Sequence, residues 1–191
     1  MKKMIAFFAE MNLPNKLTML RMALVPVYLL LLSMGLDWAA LAVFAAASIT
    51  DALDGKIARK HNLITNFGKF MDPIADKLLT HTAFIMLCGM GRLHVVACII
   101  FIAREFVVSG LRLVAVEQGH VIAAGMSGKI KTVLQMALVI VMTFQLTLFK
   151  TNLWFVLEPL VVVLTLAAAA LTLYSMVEYV WQNRAVLGGA K

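Results

Sequence analysis

Charge is scarce in this chain. Asp, Glu, Lys and Arg make up 14% of its 191 residues and 62% are hydrophobic, whereas soluble domains carry about 25% charged and about 45–50% apolar residues. That balance excludes an ordinary soluble enzyme and a disordered tail. Cysteine is nearly missing too, with two residues, which excludes a disulfide scaffold. Regular polar and apolar alternation is absent from the long apolar stretches Ala39–Thr50, Val133–Leu148 and Val156–Leu173. A transmembrane barrel needs that alternation, so the backbone polar groups must be satisfied inside helices.

What is present is an all-α polytopic membrane protein. Crossing about 30 Å of hydrocarbon takes about 20 helical residues. Breaks in the apolar runs predict six transmembrane helices over 17–35, 38–60, 68–90, 94–119, 126–149 and 153–182, in a single domain over 1–191. Residues 1–13 are the remaining segment. There, Met4, Ile5, Phe7, Phe8 and Met11 fall on one helical face, which predicts a short helix lying in the membrane interface and ended by Pro14. Lys2 and Lys3 before that patch look like the start of a signal peptide. The apolar run is too short, however, Glu10 breaks it and no small-residue cleavage site follows.

The net charge of +7 is spread over helix ends, with no basic domain and no interleaved aromatics, so it points to anionic lipid and phosphate-bearing ligands rather than nucleic acid. All but Arg92 and Lys150 of the 17 Lys and Arg fall at the N-terminus, the turns after spans two and four, the C-terminus and the adjoining helix ends. By the positive-inside rule both termini are then cytoplasmic. Cys88 and Cys98 flank the turn after span three; a bridge there is compatible with the sequence, although cysteines of apolar chains are more often buried thiols. Ala167–Ala170 is a small-residue patch suited to close helix packing.

Charged side chains inside spans are costly and mark function. Four carboxylates lie within 26 residues around the second cytoplasmic turn: Asp51, Asp54, Asp72 and Asp76. Residues three or four apart share a helix face, so Asp51 projects with Asp54 from the end of span two, and Asp72 with Asp76 from the start of span three. A helical hairpin would set the pairs opposite each other. Four carboxylates without matching cations repel, and divalent ions resolve this. An all-oxygen site favours magnesium or manganese over zinc, and two such ions would clamp both oxygens of a phosphoryl transfer. Gly55 and Ala58 keep the neighbouring helix face bare, Arg59 offers a planar donor to a phosphate, and Gly68 allows close packing on span two or a ligand.

This constellation, Asp51-x2-Asp54-Gly55-x2-Ala58-Arg59-x8-Gly68-x3-Asp72-x3-Asp76, resembles the signature of the CDP-alcohol phosphotransferases, membrane enzymes with a six-helix core. The resemblance implies attack of an alcohol hydroxyl on the β-phosphorus of a CDP-linked lipid, with release of CMP. It implies that Asp51, Asp54, Asp72 and Asp76 bind two Mg2+ or Mn2+ ions, that Asp76 is also the general base, and that Gly55, Ala58, Arg59 and Gly68 line the CDP pocket. A homodimer is implied as well. Membrane prenyltransferases also use aspartate-rich helices, but on longer chains with two motifs. A cation transporter would place its acids near the bilayer midplane between repeats, and no repeat is visible here.

The acceptor is read from span four onward. Arg104 and Arg112 lie about 80° apart around a helix of about 100° per residue, able to aim at one anion. Lys129 and Lys131 are about 200° apart, so one of them faces that site. A cationic pocket favours an alcohol that carries a phosphate, such as glycerol phosphate or inositol phosphate, over serine or choline. Asn12-Leu13-Pro14-Asn15-x-Leu17-Thr18-x2-Arg21, Ala103-Arg104-Glu105-Phe106-x2-Ser109-Gly110-Leu111-Arg112 and Gly128-Lys129-Ile130-Lys131-Thr132 look like segments of bacterial family members. In those, the phosphatidyl group of CDP-diacylglycerol passes to sn-glycerol 3-phosphate in the cytoplasmic membrane. By this resemblance Arg104, Arg112, Lys129 and Lys131, and more distantly Thr18 and Arg21, are candidates for the acceptor phosphate. Inositol phosphate, serine and phosphatidylglycerol are the alternative acceptors. Span six carries no such marker.

Overall fold

The structure is a computed structural model that describes residues 11–60, 66–120, 122–123 and 125–188. For residues 13–14, 51–60, 66–70, 72–73, 76, 150 and 187 it describes the backbone alone. Among the described residues every regular element is helical, with six long helices. These are α1 (Leu13–Ser33), α2 (Asp37–Lys60), α3 (Asn66–Gly89), α4 (Val95–Glu117), α5 (Met126–Thr147) and α6 (Glu158–Gln182), followed by the single-turn α7 (Arg184–Gly188). Asn15–Ser33, Met126–Thr147 and Glu158–Gln182 are long and apolar enough to cross a membrane. Asp37–Thr50 and Lys77–Gly89 are shorter apolar stretches, and α4 is interrupted by Arg104, Glu105 and Arg112.

The boundaries depart from expectation at prolines. α1 begins at Leu13 rather than 17, with Pro14 in its first turn, where a missing N–H has no helical acceptor to lose. Pro14 therefore opens the first long helix. Of the interfacial helix expected over residues 1–13, residues 1–10 lie outside the described residues, Met11 and Asn12 are not helical, and Leu13 already belongs to α1. α6 begins at Glu158 rather than 153, again with proline in its first turn. The preceding residues form two single 3-10 turns, Phe149–Thr151 and Trp154–Val156, with Asn152 between them in the left-handed region at φ 56°.

The chain divides into two units, Met1–Ala83 and Phe84–Lys191. In the first, α1 and α2 pack as a hairpin whose turn uses Gly35 at φ 69°. Their buried faces repeat in steps of three and four: Thr18, Arg21, Val25, Tyr28 and Leu32 on α1, and Ala40, Phe44 and Ala47 on α2, the spacing of one helix stripe. Tyr28 meets Phe44 with ring centroids 5.5 Å apart. On α3 the buried Ala75, Leu79 and Ala83 recur every fourth residue.

In the second unit α5 and α6 are antiparallel. Gln135 Nε2 donates to Thr172 Oγ1 at 3.0 Å, and near the other end Gln145 Nε2 donates to Glu158 at 2.7 Å and to the Trp154 carbonyl at 3.1 Å. Phe84 packs on Phe101 of α4 with centroids 4.7 Å apart. The turns after α3 and α5 share one end, where the Arg92 guanidinium lies 3.7 Å over Phe149, itself stacked on Trp154. At the opposite end Gln118 Nε2 donates to the Val186 carbonyl at 2.9 Å. Cys88 and Cys98 are free thiols. Within the patch Ala167–Ala170 only Ala168 is buried, so close packing is confined to one position. Thr82, Thr132, Thr165 and Thr172 return their hydroxyls to carbonyls four residues back, which satisfies them without water.

Phe44 is fully buried. In an apolar medium the cost of truncating it is mainly the void, and about 100 Å3 at about 24 cal/mol per Å3 gives on the order of 2 kcal/mol. Phe44→Ala is expected to lower the thermal midpoint in detergent, and Phe44→Leu to lower it less. Equal midpoints for all three proteins would contradict this packing.

Candidate active site

The four aspartates occupy two helices of the first unit. Asp51 and Asp54 lie in the last three turns of α2, three residues apart, and Asp72 and Asp76 in the first half of α3, four apart. Both spacings fall on continuous helix, so each pair holds a common register. Gly55, Ala58 and Arg59 follow on α2 and Gly68 opens α3; the side chains of all these residues lie outside the described set.

The hairpin register locates α1 relative to the first pair. Tyr28 meets Phe44; seven residues before Tyr28 is Arg21 and seven after Phe44 is Asp51, each about 10 Å along its helix at about 1.5 Å per residue. A step of ten residues in each direction makes Thr18 level with Asp54. Arg21 and Thr18 are 2% and 1% exposed.

The second unit gathers cations of its own. Arg104 of α4 and Lys131 of α5, 7% and 3% exposed, both bond the same oxygen of Glu105. Arg104 Nη1 stands 2.8 Å from Oε1, and Lys131 Nζ donates to Oε1 as well. Lys131 also donates to Gln135 at 3.2 Å, and Gln135 passes on to Thr172, whose hydroxyl ends on the Ala168 carbonyl. Arg104 Nε donates to Ser175 Oγ at 3.3 Å, and Arg112 Nε to the Tyr179 hydroxyl at 2.9 Å. Gly128 sits where a Cβ would come within 3.0 Å of Arg104 Nη2, so the backbone of α5 passes close to the guanidinium. Beside it Ser127 donates to Glu178.

The structure thus brings Arg104 and Lys131 together and joins Arg112 to the same helix as Arg104. Lys129 is exposed, on the other side of α5, as the 200° separation requires. Sequence reasoning missed Glu105 as a shared counter-charge, and missed Gln135, Thr172, Ser175, Tyr179 and Glu178. A glutamate next to an arginine announces only a local pair. Hydroxyl side chains in an apolar helix are common, and their partners here lie 37 to 71 residues away.

A membrane protein built of apolar helices, with paired aspartates at one-turn spacing and buried guanidinium groups, is equipped for charged phosphate substrates. The family model for CDP-alcohol phosphatidyltransferase matches residues 11–180, and the chain belongs to that family. Among curated proteins it is similar to the CDP-diacylglycerol–glycerol-3-phosphate 3-phosphatidyltransferases of three bacteria. The Bacillus subtilis enzyme is 46% identical over 136 residues, 63% of this chain and 70% of that protein. The Rickettsia prowazekii enzyme is 45% identical over 131 residues, 66% of this chain and 72% of its own. The Shigella flexneri enzyme is 35% identical over 185 residues, 93% of this chain and 98% of its own.

Removing one partner of a buried ion pair leaves the rest uncompensated and costs about 3–5 kcal/mol. Glu105→Gln strands both Arg104 and Lys131, so it is expected to lower the thermal midpoint more than the double variant Glu105→Gln/Lys131→Met. A double-mutant cycle of unfolding in detergent measures the coupling; additive effects would show that Glu105 and Lys131 do not interact.

Proposed function

We propose that this chain transfers the phosphatidyl group of CDP-diacylglycerol to sn-glycerol 3-phosphate, giving phosphatidylglycerophosphate and CMP. The observation that carries the acceptor is the charge of the second unit's interior. Arg104 and Lys131 share the one carboxylate of Glu105, and Arg112 is held by the Tyr179 hydroxyl, leaving a positive excess that a phosphate would complete and that serine or choline would not. The family match over 11–180 and the names of the relatives support the same reaction.

In this reading all six long helices span the bacterial cytoplasmic membrane as one domain, with both termini on the cytoplasmic side next to anionic lipid, and the protein works as a homodimer. The distribution of basic residues supports the sidedness. Asp51, Asp54, Asp72 and Asp76 hold two Mg2+ or Mn2+ ions. The fit rests on donor chemistry: carboxylate oxygens only, paired at one-turn spacing on helical backbone, which suits hard cations. Elsewhere among the described residues no group of three or more His, Cys, Asp or Glu is placed to hold a metal. Ions held there would supply charge neutralisation for the diphosphate and Lewis-acid activation of its phosphorus.

The chain's own residues do the rest. Gly55, Ala58 and Gly68 leave backbone bare for the cytidine, and Arg59 donates to the diphosphate. Arg104, Arg112 and Lys131 hold the acceptor phosphate, with Lys129, Thr18 and Arg21 as further contributors, which fixes the hydroxyl for attack. Asp76 accepts the hydroxyl proton. The acceptor oxygen bonds to the β-phosphorus, the bond from that phosphorus to the bridging oxygen breaks, and CMP leaves with the electron pair.

Purified protein with CDP-diacylglycerol and Mg2+ is expected to release CMP when given glycerol 3-phosphate, and not with inositol phosphate, serine or phosphatidylglycerol. Asp72→Asn should abolish release without changing the thermal midpoint. Stimulation by another alcohol would overturn the acceptor, and activity retained in Asp72→Asn would overturn the metal site. Arg104→Ala removes charge-assisted hydrogen bonds worth about 1.5–3 kcal/mol, so the KM for glycerol 3-phosphate should rise about 10- to 100-fold. Unchanged kinetics would take Arg104 out of the pocket.

A further inference from the structure

α6 carries no part of the signature, yet both guanidinium groups of α4 end on it. Arg104 Nε is held by Ser175 and Arg112 Nε by Tyr179. The order of these pairs makes α4 and α6 parallel. The two arginines are rooted eight residues apart, about 12 Å of helix rise, while their anchors are four apart, about 6 Å. The anchors are thus more closely spaced along α6 than the arginines are along α4.

The atoms used matter as much as the spacing. A guanidinium offers five N–H donors in one plane. Bonding Nε to a hydroxyl fixes the rotation of that plane and leaves the terminal nitrogens for a ligand. Among the described residues, Arg104 Nη2 and both terminal nitrogens of Arg112 have no hydrogen-bond partner. Ser175 is itself pinned, donating to the Thr172 carbonyl at 3.1 Å. Tyr179 is packed with Val108 and Leu111 of α4. Neither anchor swings freely, so the orientation they impose is preset before the ligand arrives.

We infer that Ser175 and Tyr179 are positioning residues for the acceptor phosphate, orienting Arg104 and Arg112 so that their terminal N–H groups converge on one anion. The inference rests on the proposed role of those arginines and adds the helix that aims them. It gives α6 a function in acceptor specificity.

The test is a set of steady-state kinetics on the full-length protein in detergent, with glycerol 3-phosphate and CDP-diacylglycerol varied separately. Tyr179→Phe keeps the ring among Val108 and Leu111 and removes only the hydroxyl. The KM for glycerol 3-phosphate is expected to rise about tenfold, the loss of about one hydrogen bond to a charged group, with kcat, the KM for CDP-diacylglycerol and the thermal midpoint unchanged. In an Arg112→Ala background the same substitution should add nothing, because Tyr179 acts through Arg112. Ser175→Ala should behave likewise through Arg104, and Ser175→Thr, which retains a hydroxyl, should restore the KM. An unchanged KM in both Tyr179→Phe and Ser175→Ala, or an equal rise with and without Arg112, overturns the inference while leaving the arginines in place. If Arg112→Ala and Arg104→Ala themselves leave the KM unchanged, the acceptor reading falls and this inference falls with it.

Discussion

One carboxylate, Glu105, holds two buried cations on two different helices. Lipid offers no hydrogen-bond partner, so each polar group inside such a bundle must find one on the protein. Glu105 meets that requirement for Arg104 and Lys131 together, and the neighbouring groups extend it. Lys131 passes to Gln135, Gln135 to Thr172, and Thr172 to a backbone carbonyl. The chain of donors ends where a carbonyl can accept, and α4, α5 and α6 are tied side by side by the same bonds that neutralise them.

The three helices divide the work by residue type. α4 supplies guanidinium groups, which stay charged and bond along a plane. α5 supplies a lysine, an amide and, at Gly128, the absence of a side chain where Arg104 passes. α6 supplies hydroxyls, which accept from a cation without cancelling its charge. That last choice preserves the positive excess: carboxylates at 175 and 179 would have tied down the arginines equally well but cancelled their charge. In the first unit the corresponding polar stripe of α1, Asn15, Thr18 and Arg21, is buried at the end of the hairpin where α2 carries its aspartates.

Much of the fold was legible because helices in an apolar medium announce themselves by length and by breaks in hydrophobicity. Four of the six long helices begin within two residues of the positions read from those breaks. The other two begin at Leu13 and Glu158, where proline in the first turn set the start and a reading by hydropathy took no account of it. In the site, the angular separation of Lys129 and Lys131 sufficed to show that they face different ways, and Lys131 is the buried one. The anchors were not legible. Ser175 and Tyr179 stand 71 and 67 residues from their arginines, and nothing in their own helix distinguishes them from other hydroxyl residues that bond their backbone.

By itself the sequence determined the class of the molecule, its helices, the one-turn spacing of the aspartate pairs and the sign of the charge held inside. These are local properties, decided by composition and by the 3.6-residue period of a helix. Only the tertiary structure decided which cations share Glu105, which hydroxyls hold the two guanidinium groups, and that Arg104 and Arg112 are drawn to anchors one turn apart. Those pairings depend on how neighbouring helices are set in rotation and in register, and many residues spread over both helices settle that together. A periodicity within one helix says which face is polar; it does not say what that face will meet.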